Sequence, residues 1–189
     1  MVILVPVLIG VGLGLAMGGR MSNWSNLHLR WPWLVVAALF IRVGVAGTDA
    51  GDVDWLRYVY VASLVVLIWW TLWNADRLFG VWLASLGSAA NLLVIVTNDF
   101  RMPAAVAATS RLAQAGHHGQ YVAMSSSTRL NWLADWIVVH GWYGGVFSPG
   151  DVLVGLGLGV VAFAITRFPG SRTKLDVPQA NSQTTTEGR

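Results

Sequence analysis

Cysteine is absent from the chain, which removes disulfides, thiolate nucleophiles, CxxC redox pairs and cysteine-based zinc sites from its chemistry. Charge is almost as scarce. Only 11% of the residues are Asp, Glu, Lys or Arg, against 55% hydrophobic, whereas a soluble domain carries about 25% charged residues. So little charge cannot clothe a water-facing surface, and the expected solvent is lipid. The net charge of +3 is spread over several loops with no basic stripe, which argues against nucleic acid as a partner and for charge sorting across a bilayer. No GxSxG, HExxH or P-loop pattern occurs, and no pair of acids has a spacing that points to hydrolysis. The chain is accordingly read as a non-enzyme, with no catalytic residue, no cofactor and no metal.

What the sequence does have is long apolar runs, reflected in a mean hydropathy of +0.58. Five can be drawn, at Val2 to Met17, Trp31 to Ala46, Trp55 to Trp73, Phe79 to Thr97 and Val152 to Thr166. Each is near the length that crosses a ~30 Å hydrocarbon core. Trp31, Trp33, Trp55, Trp73 and Trp82 mark run ends, where an indole prefers the headgroup layer. Val2 to Met17 lacks a basic leader, and its first positive charge, Arg20, follows it, so it reads as a retained helix rather than a signal peptide. The expected fold is therefore all-α, a polytopic transmembrane bundle of about five spans over residues 1–167. A disordered cytoplasmic tail is expected over 168–189, where Ser, Thr, Gln and Pro leave little to bury.

Loop charges orient the bundle. Arg20, Arg30, Arg77, Arg167, Arg172 and Lys174 fall on one side, which is expected to be cytoplasmic. The other side receives the acidic turn with Asp49, Asp52 and Asp54, and a long connection over 98–150 in which Asp99, Asp135 and Asp151 stand against Arg101, Arg111 and Arg129. This predicts an outer N-terminus and a cytoplasmic C-terminus. A connection of that length should contain structure. Two helices fit it, Pro103 to Ala115 and Leu130 to His140. The second places Leu133, Trp136, Ile137 and His140 on one face, with Trp132 and Trp136 as interfacial anchors.

Within this frame a few polar residues stand out. Arg42 is the charged residue well inside an apolar run, read first as snorkelling to the headgroups, with an ion pair or a functional role as alternatives. Ser88, Asn91 and Asn98 punctuate the fourth run. The seven-residue spacing of Asn91 and Asn98 puts both amides on nearly one face, as interhelical hydrogen bonds or as ligand contacts. Asn98-Asp99-Phe100-Arg101-Met102-Pro103 follows directly, with Pro103 suited to the first turn of a helix, Asp99 to its cap and Arg101 to a lipid phosphate. Ser148-Pro149-Gly150-Asp151 has the order of a helix-capping box. Gly10, Gly14 and Gly18, and later Gly155 and Gly159, form smooth stripes that suit close helix packing. His117 and His118 are adjacent, so their side chains diverge, and no further ligand stands at metal spacing.

A Gly-rich first run ending in Gly-Gly-Arg, then NLLVIVTNDFRMP, LNWLADWI and VFSPGDVLVGLGLG, together resemble domain-of-unknown-function family 5317 of bacterial multi-pass membrane proteins. The resemblance runs from Met1 to about Arg167, and its motif elements fall on Asn91, Asn98, Met102, Pro103, Leu133, Asp135, Ser148, Gly150 and Asp151. It implies a plasma-membrane location and no particular activity. The resulting expectation is an outer-side polar pocket of Asn91, Asn98, Asp99, Arg101, Asp135 and Arg42 that takes a lipid headgroup, small solute or ion. Its alternatives are an accessory subunit that docks its Gly stripes on a membrane protein partner and, ranked last, an intramembrane enzyme.

Overall fold

The computed structural model describes residues 2–45, 53–105, 116–140 and 145–168. Asp49, Asp52, Arg111, the body of the expected helix up to Ala115, and the tail with Arg172 and Lys174 lie outside them. The apolar runs form five helices: α1 (Leu4–Ala16), α2 (Pro32–Val45), α3 (Asp54–Trp73), α4 (Val81–Thr97) and α5 (Pro149–Arg167). Their interiors are rich in Leu, Ala and Val, and proline is confined to first turns, at Pro6, Pro32 and Pro149, where a missing N–H costs nothing. Glycines at φ +87 (Gly18) and +84 (Gly80) close α1 and open α4.

The expected all-α bundle of five spans does not survive. Among the described residues, only α3, over Trp55–Trp73 (hydropathy 1.5), and α5 (hydropathy 1.8) are both long and apolar enough to cross a membrane; α1, α2 over Pro32–Arg42 and α4 are shorter apolar helices. At 1.5 Å per residue, α1 and α4 reach roughly 20 and 26 Å, short of a ~30 Å core. The described residues of the connection after α4 form no α-helix either. Among those described residues are five short strands, β1 (Met102–Ala104), β2 (His117–His118), β3 (Tyr121–Ala123), β4 (Ile137–Val139) and β5 (Gly145–Phe147).

α5 is the central helix. It runs parallel to α1 and antiparallel to α4, its two most extensive neighbours, and glycine permits both approaches. A Cβ on Gly10 would stand 2.1 Å from the Gly159 carbonyl oxygen, one on Gly14 2.7 Å from Thr166 Cβ, and one on Gly155 2.1 Å from the Val2 carbonyl oxygen. Toward α4, a Cβ on Gly157 would meet Ala84 N at 2.4 Å, and one on Gly87 the Gly150 carbonyl oxygen at 2.4 Å. Gly10, Gly14, Gly155 and Gly159 are thus spent inside the chain, where backbones in contact replace side chains as the packing surface, while a Cβ on Gly18 would meet nothing within 4 Å.

At one end of the bundle, loops are fastened by buried amides and hydroxyls. Asn74 accepts from Arg30 N (2.9 Å) and donates to the Trp70 carbonyl (3.0 Å). Trp24 Nε1 donates to Thr166 Oγ1 (3.0 Å), and Arg30 pairs with Asp76 (2.9 Å). The other end carries the strands. β3 is central, parallel to β1 with Met102 opposite Tyr121, and antiparallel to β2 on its other side. On β1's free edge, Asp135 N donates to the Pro103 carbonyl (3.0 Å) and Ala105 N to the Asp135 carbonyl (2.8 Å). Pro103 therefore sits in a strand and not in a helix's first turn, because only its carbonyl is used there.

The expected helix from Leu130 to His140 is replaced by one 3-10 turn (Asn131–Leu133) and by β4, which pairs antiparallel with β5. Leu130 at φ +56 breaks a helix at its start, and the β-branched run Ile137-Val138-Val139 favours extended backbone. Trp132 and Trp136 remain exposed.

Candidate functional site

The strand platform and the adjacent helix ends border a partly open cavity of about 270 Å³. Each wall comes from a different element. α2 supplies Leu39 and Arg42, α3 supplies Tyr60, and α4 supplies Asn91 and Ile95. Met102 comes from β1, Gln120 from the turn into β3, Tyr121 from β3 itself, Asp135 from the segment on β1's edge, and Asp151 from the first turn of α5. Of the six residues expected to form a pocket, the structure brings together Arg42, Asn91 and Asp135. Asn98, Asp99 and Arg101 do not line it.

Asn98 is a clamp. It ends α4, its Nδ2 donates to the carbonyls of Val94 (2.8 Å) and Arg129 (2.9 Å), and its Oδ1 accepts from Arg129 N (2.7 Å). Asp99 and Phe100 both adopt positive φ, 53° and 60°, to turn the chain from helix into strand. Asp99 is therefore part of the turn that closes α4 and caps no following helix. Phe100 packs edge-on against Tyr58 at 5.0 Å, and Arg101 donates to the Gly119 carbonyl (3.3 Å). The segment with the most function-like composition is thus the hinge that carries the platform.

The α4–α5 wall is a closed network. Ser148 caps α5, with Asp151 N donating to Ser148 Oγ (3.0 Å) and Ser148 N to Asp151 Oδ2 (3.1 Å), the expected capping box. Asn91 bridges it, accepting from Ser148 Oγ (2.8 Å) and donating through Nδ2 to Asp151 Oδ1 (2.8 Å). Both polar ends of Asn91 and both oxygens of Asp151 are engaged, so this wall is rigid and presents a fixed negative charge to the cavity.

The opposite walls are unfinished. Arg42 does not snorkel outward; its guanidinium lies over the Tyr60 ring at 4.4 Å, a cation–π contact that holds the head inside. Arg42 Nη1, Gln120 Oε1 and Asp135 Oδ1 are buried side-chain atoms with no hydrogen-bond partner among the described residues. The Gln120 side chain stands beside the Tyr60 and Tyr121 phenols. Asp135 is 5% exposed. Desolvation first, and then the charge of Asp151, push its carboxyl up from 3.8 to about 8. Burial, with the nearby Asp135 second, raises the Tyr121 phenol as well.

Sequence reading missed Tyr60, Gln120 and Tyr121, and left Asp151, read first as a helix cap, out of the expected pocket. A tyrosine inside an apolar run reads as hydrophobic, and a lone glutamine after glycine carries no signal at all. Arg57, in the first turns of α3, was likewise passed over. His117 and His118 sit on β2, where neighbouring side chains point to opposite faces.

A family model described as a family of unknown function (DUF5317) matches residues 26–163, a stretch that contains every residue lining the cavity. No curated protein and no solved structure matches the chain.

Proposed function

We propose, for a chain that belongs to the DUF5317 family of unknown function and inherits no activity from that membership, a membrane protein that binds a small polar molecule in the cavity under its strand platform. One observation carries this reading. Three buried polar atoms, Arg42 Nη1, Gln120 Oε1 and Asp135 Oδ1, belong to residues from three separate elements that line one cavity, and none has a hydrogen-bond partner among the described residues. Leaving a buried polar group unpaired costs about 1–3 kcal/mol, more when it is charged, and a cluster of such groups is a common cost of holding a ligand.

Membrane embedding is supported by how apolar the outer surface is. Leu8, Ile9 and Leu13 on α1, Phe40 on α2, Trp69 and Leu72 on α3, and Leu86 and Leu93 on α4 are all exposed. Only 28% of the apolar stretch of α3 is buried, unlike the core helix of a soluble domain. Arg20, Arg30, Arg77 and Arg167 all belong to the end opposite the platform, which favours a cytoplasmic assignment for that end and an outer platform.

Binding fits better than catalysis, because the two carboxylates at the cavity are not a working pair: Asp151 is held by its cap and by Asn91. Docking as an accessory subunit loses its main support, since Gly10, Gly14, Gly155 and Gly159 are covered by the chain's own helices. The test is native mass spectrometry of the protein extracted in mild detergent from its host. A co-purifying small mass that disappears in Arg42→Gln is expected. A clean apo mass for the wild type, with Arg42→Gln and Asp135→Asn only stabilising the fold, refutes the pocket.

A further inference from the structure

We infer that the ligand of this cavity is a small zwitterion, whose anionic group is taken by Arg42 and whose ammonium group is taken by Asp135 and Gln120. The inference rests on the pocket reading above and assigns its chemistry. Arg42 offers donors only, and its unpartnered Nη1 calls for an acceptor that is best matched by a carboxylate or phosphate oxygen. Gln120 Oε1 and Asp135 Oδ1 offer acceptors and call for a group with several N–H donors. A simple anion would satisfy Arg42 and face two bare oxygens. A simple cation would leave the guanidinium unpaired.

Charge balance points the same way. The groups facing Asp135 are Arg42 from α2, Tyr60 from α3, Tyr121 from β3 and Asp151 from α5. Among them, Arg42 holds the only positive charge, and it lies over Tyr60. Burial first, and then the nearby charge of Asp151, make Asp135 hold its proton to about 8. A bound ammonium supplies a cation beside it, and Asp135 gives up its proton to solvent as the ligand enters. Two sources present the same chemistry: a free amino acid, and the phosphoethanolamine headgroup of a lipid.

Calorimetry on the full-length protein in nanodiscs tests this with glycine, β-alanine and glycerophosphoethanolamine, set against acetate, inorganic phosphate and ethylammonium. At least one zwitterion is expected to bind tenfold or more tighter than every singly charged probe. Glycerophosphoethanolamine alone would identify a headgroup site, and glycine or β-alanine a free solute. Arg42→Gln should weaken the preferred zwitterion by about 10- to 100-fold, the worth of one charged hydrogen bond. In the wild type, affinity should rise by up to about tenfold per pH unit as the pH approaches 8, because binding releases a proton. Asp135→Asn should abolish that slope, and the wild-type slope stands as evidence even if the variant folds poorly. A singly charged probe that binds as well as every zwitterion overturns the inference and leaves the pocket. So does binding of none of these probes while another mass co-purifies. Loss of both probe binding and any co-purifying mass overturns the pocket itself.

Discussion

Replacing Asp135 by Asn should stabilise the ligand-free protein, and by an amount that depends on pH in a defined direction. Asparagine reproduces the shape of the protonated carboxyl and cannot ionise. Because burial raises the folded pKa from 3.8 to about 8, folding favours the protonated form. The contribution of Asp135 to wild-type stability is thus fully present below about 3.8, falls by roughly 1.4 kcal/mol for each pH unit above that, and is lost once the pH passes about 8. Integrated over that window, and reduced for relaxation and water entering the cavity, the Asn variant should gain on the order of 3–5 kcal/mol at pH 8.5. At about 2–4 °C per kcal/mol for a chain of this size, the melting temperature should rise by roughly 10 °C. The eleven tryptophans make intrinsic fluorescence a direct readout of melting in detergent. The two proteins should melt together near pH 4 and separate progressively to pH 8.5. Parallel curves across that range, or an Asn variant that melts lower at pH 8.5, would refute the placement of this carboxyl in a dry, uncompensated site.

Three further outcomes follow from the packing. Asn91→Ala should lower stability by about 2–4 kcal/mol, since it strips the acceptor from buried Ser148 and the donor from Asp151 together; melting unchanged within error would mean the α4–α5 bridge is not formed. Gly10→Ala should cost about 2 kcal/mol or more by forcing α1 off α5, where the new Cβ would stand 2.1 Å from the Gly159 carbonyl oxygen. Gly12→Ala meets nothing within 4 Å and should gain up to about 1 kcal/mol of helix propensity, so equal effects at the two positions would contradict the helix pairing. Finally, the absence of native cysteine permits single-cysteine labelling with an impermeant reagent on intact cells. Ser126→Cys on the platform should react from outside and Arg77→Cys should not, and the reverse pattern would invert the proposed topology.

What could be read from the sequence followed from how local each signal is. A helix is written in one continuous apolar stretch, and α3, expected from Trp55 to Trp73, is found at Asp54–Trp73. The number of membrane-length helices was not readable that way, because it depends on where each helix stops. Gly18 at φ +87 shortens α1, although the residues before it are as apolar as any span. The platform was invisible for the opposite reason. Its strands are two or three residues long, and β1 is held by Tyr121 on one side and Asp135 on the other, partners too distant in sequence for any periodicity to connect.

The candidate site divides along the same line. Arg42, Asn91 and Asp135 could be singled out because a polar group surrounded by apolar residues must find a partner or a purpose. Asn98 was grouped with Asn91 by seven-residue spacing, but α4 ends at Thr97, and Asn98 leaves the helix to clamp residue 129. Turns and ligand sites recruit the same residue types, Asn, Asp and Arg beside Gly and Pro, so composition alone cannot separate them. What separates them is whether the polar atoms are already used. Both ends of the Asn98 and Asn91 amides are taken by the protein, which marks them as holding the walls. Arg42 Nη1, Gln120 Oε1 and Asp135 Oδ1 are not taken, and any molecule that belongs in the cavity must be complementary to those three atoms together.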